Sequence, residues 1–419
     1  MSSLKNLIES LLPRRLYRVL LAPYHLAWTF ASAVRYGFPA RKLVVIGVTG
    51  TKGKSSVSEM IAAVLTEAGH TVAVSSTIHF SIGSEVRPNK FKMTLPGRGF
   101  IQKFLHEAVT KGATHAVIEI TSEAALQYRH LFLSQNALVF TNLEKEHIES
   151  HGSFENYFRA KYKIAEALAH SEKRPRAIVA NKDANYGDRF LALPVEAKLP
   201  FSLTDAEQLV LTDNQVQFTY QGQHFSVPQP GNFSVLNALA AIRVGAFLSV
   251  PLATSAAALT KLSRIPGRAE RIEEGQDFIA IVDYAHTPDS LKALYEAYAS
   301  HPKICVLGNT GGGRDTWKRP EMGRIADEQC ETVILTDEDP YDENPRAILD
   351  AMATGMKRTP TIVMDRREAI ALALKSAKSG DAVLITGKGT DPYIMRAQGA
   401  KEVWSDANVV REELKKLRA

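Results

Sequence analysis

The apolar run Leu43-Val44-Val45-Ile46-Gly47-Val48 passes directly into Thr49-Gly50-Thr51-Lys52-Gly53-Lys54-Ser55-Ser56, and no other segment limits the available folds as much. An uninterrupted apolar run suits a strand covered on both faces of a parallel sheet. Residues 55–68 then carry a helical pattern. A glycine-rich turn between such a strand and such a helix lets backbone N–H groups approach phosphate oxygens, and the helix start adds positive partial charge. Lys54 can reach the outer phosphates of a nucleotide, and the Ser55 hydroxyl can ligate Mg²⁺. The spacing departs from the strict phosphate-loop pattern, because Val48 stands where a glycine is required. Gly50, Thr51, Lys52, Gly53, Lys54, Ser55 and Ser56 are the expected ATP contacts.

The same alternation recurs downstream. Residues 115–120, 137–141 and 177–180 have strand character with helical segments between them, as in an α/β sheet with crossover helices. Residues 198–227 read instead as short alternating strands with polar turns, a small antiparallel insert or an edge. A helical stretch, 235–263, leads to Ile265-Pro266-Gly267-Arg268. Beyond it, residues 278–282, 303–307, 332–335, 361–364 and 382–385 are strand candidates separated by helices. A chain of 419 residues suits more than one core. The expected fold class is α/β. A phosphate-loop central ATPase domain with a mostly parallel sheet spans 43–267, and a smaller Rossmann-like α/β domain spans 268–419. An apolar helical segment, 1–42, precedes them.

Composition narrows the partners. Hydrophobic residues make up 45% and charged residues 23%, the balance of a globular chain. The net charge of +6 is small for this length, Lys and Arg are scattered, and no nucleic-acid partner is expected. Cys305 and Cys330 supply neither a disulfide framework nor a four-ligand zinc site, and read as reduced thiols of a cytoplasmic protein. Residues 19–34 are mostly apolar, with Arg14, Arg15 and Arg18 before them and Arg35 after. Pro23 and His25 interrupt the run, which falls short of the about 20 apolar residues that span a bilayer. Two placements stay open for residues 14–38. They pack against the rest of the protein or a partner, or they lie on a membrane surface, which suits Tyr17, Tyr24, Trp28 and the arginines.

Gly50-Thr-Lys-Gly-Lys-Ser55 resembles the phosphate loop of the Mur ligase superfamily, which includes muramyl-peptide ligases, folylpolyglutamate synthases and poly-γ-glutamate synthases. Further matches follow in that family's order from Val44 to the C-terminus. Glu119-Ile-Thr-Ser-Glu123 is similar to Glu-Val-Ser-Ser-His, whose Glu binds Mg²⁺; Glu123 replaces the His. Thr121, Ser122, Arg129 and Thr94 (in Met93-Thr-Leu-Pro-Gly97) are then implied substrate contacts. Thr141-Asn-Leu-Glu-Lys-Glu-His-Ile-Glu-Ser-His-Gly152 resembles Thr-Asn-Leu…Asp-His-Leu-Asp-Tyr-His-Gly. That implies His147 as ligand of a second Mg²⁺ and Asn142 as a polar contact, with Glu146 in place of the Asp. Lys161 stands where the family carries a carbamylated lysine, and Lys163 is its neighbour and competitor. Asn237 matches the adenine-contacting Asn, while Ser234 replaces another common Asn. Arg268 matches a residue that meets the γ-phosphate, and Asp283 of Asp283-Tyr-Ala-His-Thr-Pro-Asp289 matches the ribose contact. The resemblance implies ATP and Mg²⁺ as cofactors, with Ser55, Glu119 and His147 as metal ligands. Its catalytic set is Lys54, Glu119, His147, Lys161 and Arg268.

The C-terminal motifs resemble the MurE-like, muramyl-tripeptide synthetase branch. They are residues 283–289, Gly311-Gly-Gly-Arg-Asp-Thr-Trp-Lys-Arg-Pro-Glu-Met-Gly323, Thr336-Asp-Glu-Asp-Pro-Tyr-Asp-Glu-Asn-Pro345 and Gly387-Lys-Gly-Thr-Asp-Pro-Tyr393. Arg314 matches the residue that holds the incoming amino acid's carboxylate, a natural task for a guanidinium. Asp339 and Tyr341 replace the Asn and Arg of the diaminopimelate-type Asp-Asn-Pro-Arg, and Asp391 takes the acidic place after Gly387. Losing the Arg removes a bidentate carboxylate partner. Asp339 and Asp342 instead point to an amine-bearing side chain such as lysine or ornithine. About 42 residues precede the first strand, where three-domain muramyl ligases carry a nucleotide-sugar domain of roughly a hundred residues. The implied activity is an ATP-dependent amide ligase working through an acyl phosphate, with a peptide-bearing acceptor and an amino acid. Tripeptide synthesis for peptidoglycan leads. Poly-γ-glutamate or another peptide extension, and a non-catalytic ATP-binding subunit, are the alternatives.

Overall fold

The computed structural model describes residues 14–97, 99–262 and 264–418. The first helix, α1 (Arg14–Arg35), runs through Pro23, and a short 3-10 turn, Pro39–Lys42, delivers the chain into the sheet. Residues 1–13 of the expected N-terminal segment lie outside the described residues.

Eight strands form the larger sheet: β1 (Val44–Thr49), β2 (Val72–Ser75), β3 (His79–Ile82), β4 (Glu85–Pro88), β5 (His115–Glu119), β6 (Ala137–Phe140), β7 (Ala177–Asn181) and β8 (Ala197–Phe201). Their order is β4-β3-β2-β5-β1-β6-β7-β8, parallel except at β3 and β4. β1 lies between β5 and β6, where successive connections leave in opposite directions. Such a reversal opens a crevice beyond the carboxyl ends of the strands.

Period-two alternation in β1 feeds two cores. Ile46 and Val48 join the apolar cluster on one face, and Val45 joins that on the other. Helix α2 (Lys54–Glu67) buries Val57, Met60, Ile61, Val64 and Leu65 at helical spacing. Against it packs the helix Asn232–Phe247, buried on nearly all sides as its uniformly apolar sequence demands. Helix α3 (Phe100–Thr110) covers the opposite face with Ile101, Phe104, Leu105 and Ala108.

Three antiparallel strands, β9 (Glu207–Leu211), β10 (Val216–Tyr220) and β11 (Gln223–Val227), form a separate small sheet. The second large unit is a six-stranded sheet of β12 (Glu270–Arg271), β13 (Ile279–Val282), β14 (Lys303–Leu307), β15 (Thr332–Leu335), β16 (Thr361–Ile362) and β17 (Ala382–Ile385). Its order is β12-β13-β17-β14-β15-β16, parallel except for β12. The expected α/β class with two sheets is what the chain adopts.

Details differ from the sequence reading for local reasons. Residues 197–201 belong to the large sheet as its parallel edge and not to the antiparallel insert. The helical stretch 235–263 is two helices, Asn232–Phe247 and Leu252–Thr260, parted at Ser249-Val250-Pro251; Ser263 lies outside the described residues. Pro251 has no N–H to continue a helix and sits at the N-cap of the second. Cys305 and Cys330, expected as reduced thiols, are joined in a disulfide with their Cα atoms 6.2 Å apart. Cys305 lies within β14 and Cys330 just before its neighbour β15, so tertiary pairing makes a proximity invisible in the spacing.

Beneath the ends of β15 and β17, Arg366 is clamped between helices. Its Nε and one terminal nitrogen donate to the two Asp406 oxygens at 2.8 and 2.7 Å, and it also donates to the Thr386 carbonyl at 2.8 Å. Both side chains are almost fully buried. Removing one partner leaves an uncompensated buried charge, so Asp406→Ala is expected to lower stability by about 3–5 kcal/mol in denaturant unfolding.

Candidate active site between the two sheets

The carboxyl ends of β1, β5 and β6 face those of β13, β14, β15 and β17 across a cleft of about 1090 Å³. Thr51 to Ser56 line it, so the phosphate loop is part of its wall. Gly50 itself is packed away: a Cβ there would stand 1.9 Å from Thr141 Oγ1. Gly53, at φ +81°, forms the N-cap of α2, and a Cβ there would press on Asn237 Oδ1 at 2.6 Å. The end of β6 braces the loop. Thr141 Oγ1 donates to the Lys52 carbonyl (2.6 Å), and the Lys52 N–H donates to Asn142 Oδ1 (2.8 Å). Asn142 lines the cleft as expected and also supports the loop.

Lys54 Nζ donates to the Gly50 and Thr51 carbonyls, each at 3.0 Å. Lys161 does not line the cleft; it lies buried beneath the loop on the helix Phe154–Ala169, where its Nζ donates to the Gly50 carbonyl at 2.8 Å. Burial above all, and then the charge of Lys54, push Lys161 well below the usual lysine range. Burial lowers Lys54 as well.

Glu119 ends β5. Its oxygens accept from the Thr77 N–H (3.1 Å) and hydroxyl (3.0 Å), and Thr77 in turn meets Thr94 Oγ1 at 2.8 Å. Thr121 lines the cleft and caps the following helical turn through the Ala124 N–H. Ser122, expected to touch substrate, is instead buried, its hydroxyl 3.1 Å from His151 Nε2. It opens the helix Ser122–Leu126, which turns its side chain inward. Arg129 stands at the cleft wall, donating to the Leu95 carbonyl at 2.6 Å. His147 Nδ1 lies 3.6 Å from Glu123 Oε1.

Several contacts bridge the two sheets. Arg268 donates to Ser55 Oγ at 3.2 Å with its guanidinium over the Tyr284 ring. Asp315 accepts from the backbone N–H groups of His147 (2.6 Å) and Ile148 (3.1 Å). Glu146 Oε1 meets Lys52 Nζ at 3.1 Å and His286 Nε2 at 2.8 Å. Burial alone would raise the Glu146 carboxyl, but Lys52 and the His286 hydrogen bond hold it well below the usual carboxylate range. Asp283 lines the cleft, its oxygens accepting from the Ala269 and Ala285 N–H groups at 2.6 Å each.

Arg314, Asp339, Tyr341, Gly387 and Asp391 share the far end of the cleft. The Arg314 guanidinium lies 5.4 Å from the Tyr341 ring centre. A Cβ on Gly387 would collide with Glu338 Oε2, which has no hydrogen-bond partner although Oε1 accepts from Thr310. Burial raises the Glu338 carboxyl.

The sequence reading did not single out Thr77, Lys92, His286, Asp315 or Glu338 as site residues. His286, Asp315 and Glu338 stand inside quoted motifs and were within reach; Lys92 has no local signal, because its partner Asp339 is 247 residues away. Among the described residues no group of three or more His, Cys, Asp or Glu is arranged to hold a metal ion alone. Ser55, Glu119 and His147 do line one cleft.

The fold recurs among known proteins. Residues 48–245 match the Mur ligase middle domain and residues 267–389 the Mur ligase, glutamate ligase domain. The chain is 36% identical to a UDP-N-acetylmuramoyl-L-alanyl-D-glutamate--2,6-diaminopimelate ligase of Caldanaerobacter subterraneus subsp. tengcongensis, over 85% of this chain and 75% of that protein. It is 34% identical to a UDP-N-acetylmuramyl-tripeptide synthetase of Roseiflexus sp., over 96% and 82%. A solved diaminopimelate ligase superposes with a TM-score of 0.61 at 29% identity, covering 90% of this chain and 79% of that one. Folylpolyglutamate synthase of Mycobacterium tuberculosis shares the fold, with a TM-score of 0.72 at 17% identity over 87% and 93%. The chain belongs to the Mur ligase family of ATP-dependent, ADP-forming amino-acid ligases.

Proposed function

We propose that the chain joins an amino acid with a basic side chain to a peptide carboxylate, in the manner of muramyl-tripeptide synthesis for peptidoglycan. The observation that carries this reading is Arg268 reaching from the second sheet to Ser55 of the phosphate loop, with the amino-acid motifs in the same cleft. ATP binds at Thr51 to Ser56, with Asn237 and Asp283 at its nucleoside end. An acceptor carboxylate oxygen attacks the γ-phosphorus, the bond to ADP breaks, and an acyl phosphate forms. Lys54 and Arg268 stabilise the transferring charge. The amine of the amino acid whose carboxylate Arg314 holds then adds to the acyl carbon and loses its proton, and phosphate leaves. Thr94, Thr121 and Arg129 position the acceptor.

Ser55, Glu119 and His147 would hold Mg²⁺, which neutralises phosphate charge. Few protein ligands suffice, since Mg²⁺ takes most of its oxygens from phosphate and water. Lys161 is the candidate for carbamylation: burial lowers its basicity, which favours the neutral amine that adds CO₂, and the resulting anion would face the loop from below. Asp342, expected beside Asp339, is exposed away from the cleft and accepts from the Gln398 N–H; it is Asp391 that joins Asp339, and with the uncharged Tyr341 the two carboxylates favour an ω-ammonium on the incoming amino acid. A non-catalytic subunit would not need to keep Lys54, Glu119, His147 and Arg268 around one cleft, and a non-muramyl extension would not need the Arg314 and Gly387 motifs.

Helix α1 adds a surface. Thr29, Ser32 and Ala33 face the protein, while Tyr24, Leu26, Trp28, Phe30 and Val34 are exposed, the reverse of an ordinary surface helix. Residues 10–58 contain no Asp or Glu, and Arg14, Arg15, Arg18, Arg35, Arg41 and Lys42 fall among them. Aromatic residues with this one-signed charge suit an anionic lipid surface on the cytoplasmic side. No helix among the described residues is long and apolar enough to cross a membrane.

With ATP, Mg²⁺, UDP-linked or UDP-free dipeptide acceptors and an amino-acid panel, product masses should show addition of lysine or ornithine. Preference for diaminopimelate would refute the side-chain reading, and ATP binding without turnover on any acceptor would refute the ligase. Lys54→Ala should bind no ATP productively and lose phosphate release at least about a hundredfold while remaining folded. Intact mass after bicarbonate, read as a gain of one CO₂ absent from Lys161→Ala, checks carbamylation; a gain that persists would move it elsewhere. Vesicles with phosphatidylglycerol should sediment the chain, Trp28→Ser with Phe30→Ser should lower that recovery, and equal recovery on neutral vesicles would exclude the charge argument.

A further inference from the structure

The amino-acid end of the cleft already holds an ammonium. Lys92 Nζ lies 2.5 Å from Asp339 Oδ2 and 3.4 Å from Asp391 Oδ2, with the Tyr341 ring centre at 5.8 Å. These are the three residues assigned above to the incoming side chain. Lys92 comes from the opposite wall, in the loop between β4 and α3. Its side chain is 16% exposed, which is unusual for a residue type that ordinarily keeps its charge in water.

The other carboxylate contacts come from the same wall, from the chain that follows β17. Asp339 Oδ1 accepts from the buried Lys388 at 2.9 Å and from the Met395 N–H at 2.7 Å. Lys388 also lies 3.5 Å from Asp391 Oδ2 and donates to the Tyr393 carbonyl. One lysine is therefore built into the floor against two carboxylates. The second positive charge, which balances the pair, is supplied from across the cleft. If Lys92 withdrew, Asp339 Oδ2 would lose its ion-pair partner and the floor would carry one uncompensated negative charge.

The loop aims this lysine. Asn89 Nδ2 donates to the Ser76 and Met93 carbonyls, closing the segment around Lys92. The Phe91 ring packs on Phe80 and Phe100 at 6.0 and 5.2 Å between centres. Lys92 itself has φ +53°, a left-handed conformation costly for a residue with a side chain. Two positions on, Thr94 joins the hydrogen bonds that run through Thr77 to Glu119.

We propose that Lys92 is an intramolecular stand-in for the side-chain ammonium of the incoming amino acid, a strap that fills the pocket across the closed cleft and must be displaced for that substrate to bind. This rests on the reading that the Asp339–Asp391–Tyr341 pocket receives the amino-acid side chain. The strap makes Lys92 a specificity residue. A side chain without a cation cannot replace the charge that leaves, whereas an ω-ammonium exchanges one ion pair for another. Substrate affinity is then reduced by the fraction of molecules in which the strap is out.

The test is the KM for the amino acid used by the wild-type chain, compared among Lys92→Ala, Lys92→Met and Lys92→Arg. If the strap is in place about nine-tenths of the time, the Ala and Met variants lower KM about tenfold, while the Arg variant stays near wild type. In the same variants n-butylammonium should become a better competitor against the amino acid. A KM that rises would show that Lys92 grips the substrate, and one unchanged within twofold would show that the contact is incidental; either overturns the proposal. A panel returning an uncharged or acidic amino acid would sink the basic-substrate reading and the stand-in role with it, whereas a basic amino acid with a KM that Lys92→Ala leaves unchanged sinks the strap alone.

Discussion

Gly50 has no room for a side chain, and much of the site follows from that. Its carbonyl accepts from Lys54 above and Lys161 below, while its α-carbon lies against Thr141. The loop is thereby tied to the end of β6 through Thr141 and Asn142 and cannot drift relative to the sheet. A phosphate cradle works by fixed donors, because donors that must reorganise during the reaction return less stabilisation. Two lysines meet on one carbonyl, and burial, with the charge of Lys54, pushes Lys161 well below the usual lysine range.

The second sheet brings the complementary half. Its strand ends carry Asp283, Thr310, Asp339 and Gly387 to the same cleft, and Arg268 spans the gap to the loop. Glu146 is the electrostatic centre of the junction, a buried carboxylate that stays ionised because Lys52 comes from one side and His286 from the other. A Glu in place of the shorter Asp of the resemblance has the extra reach to touch both.

The fold class and most of the cleft were legible in the sequence, because strand ends, glycines and the residues that follow them are local features. The run Leu43 to Val48 into Gly-Lys-Ser specifies strand, turn and helix within a few residues. Ser122 was misplaced because a one-residue step on a helical turn decides whether a hydroxyl faces the cleft or His151, and neighbouring residue types do not encode that step. The Cys305–Cys330 bridge and the Lys92–Asp339 pair were missed for another reason. Both depend on which strands and loops become neighbours in three dimensions, and nothing in their spacing announces it. Residues 19–34 read as mostly apolar from sequence, but only the burial of helix α1 reveals that its small and hydroxylated side faces inward.

Asp315 follows Arg314 directly in the chain, and its carboxylate takes two backbone N–H groups from the opposite wall at His147 and Ile148. Those N–H groups begin a single helical turn, Ile148–His151, and water can replace the carboxylate when the walls part. Such a clasp can release without leaving polar groups stranded. A contact that water can replace holds the two walls of the cleft together at little cost to either wall when it is broken.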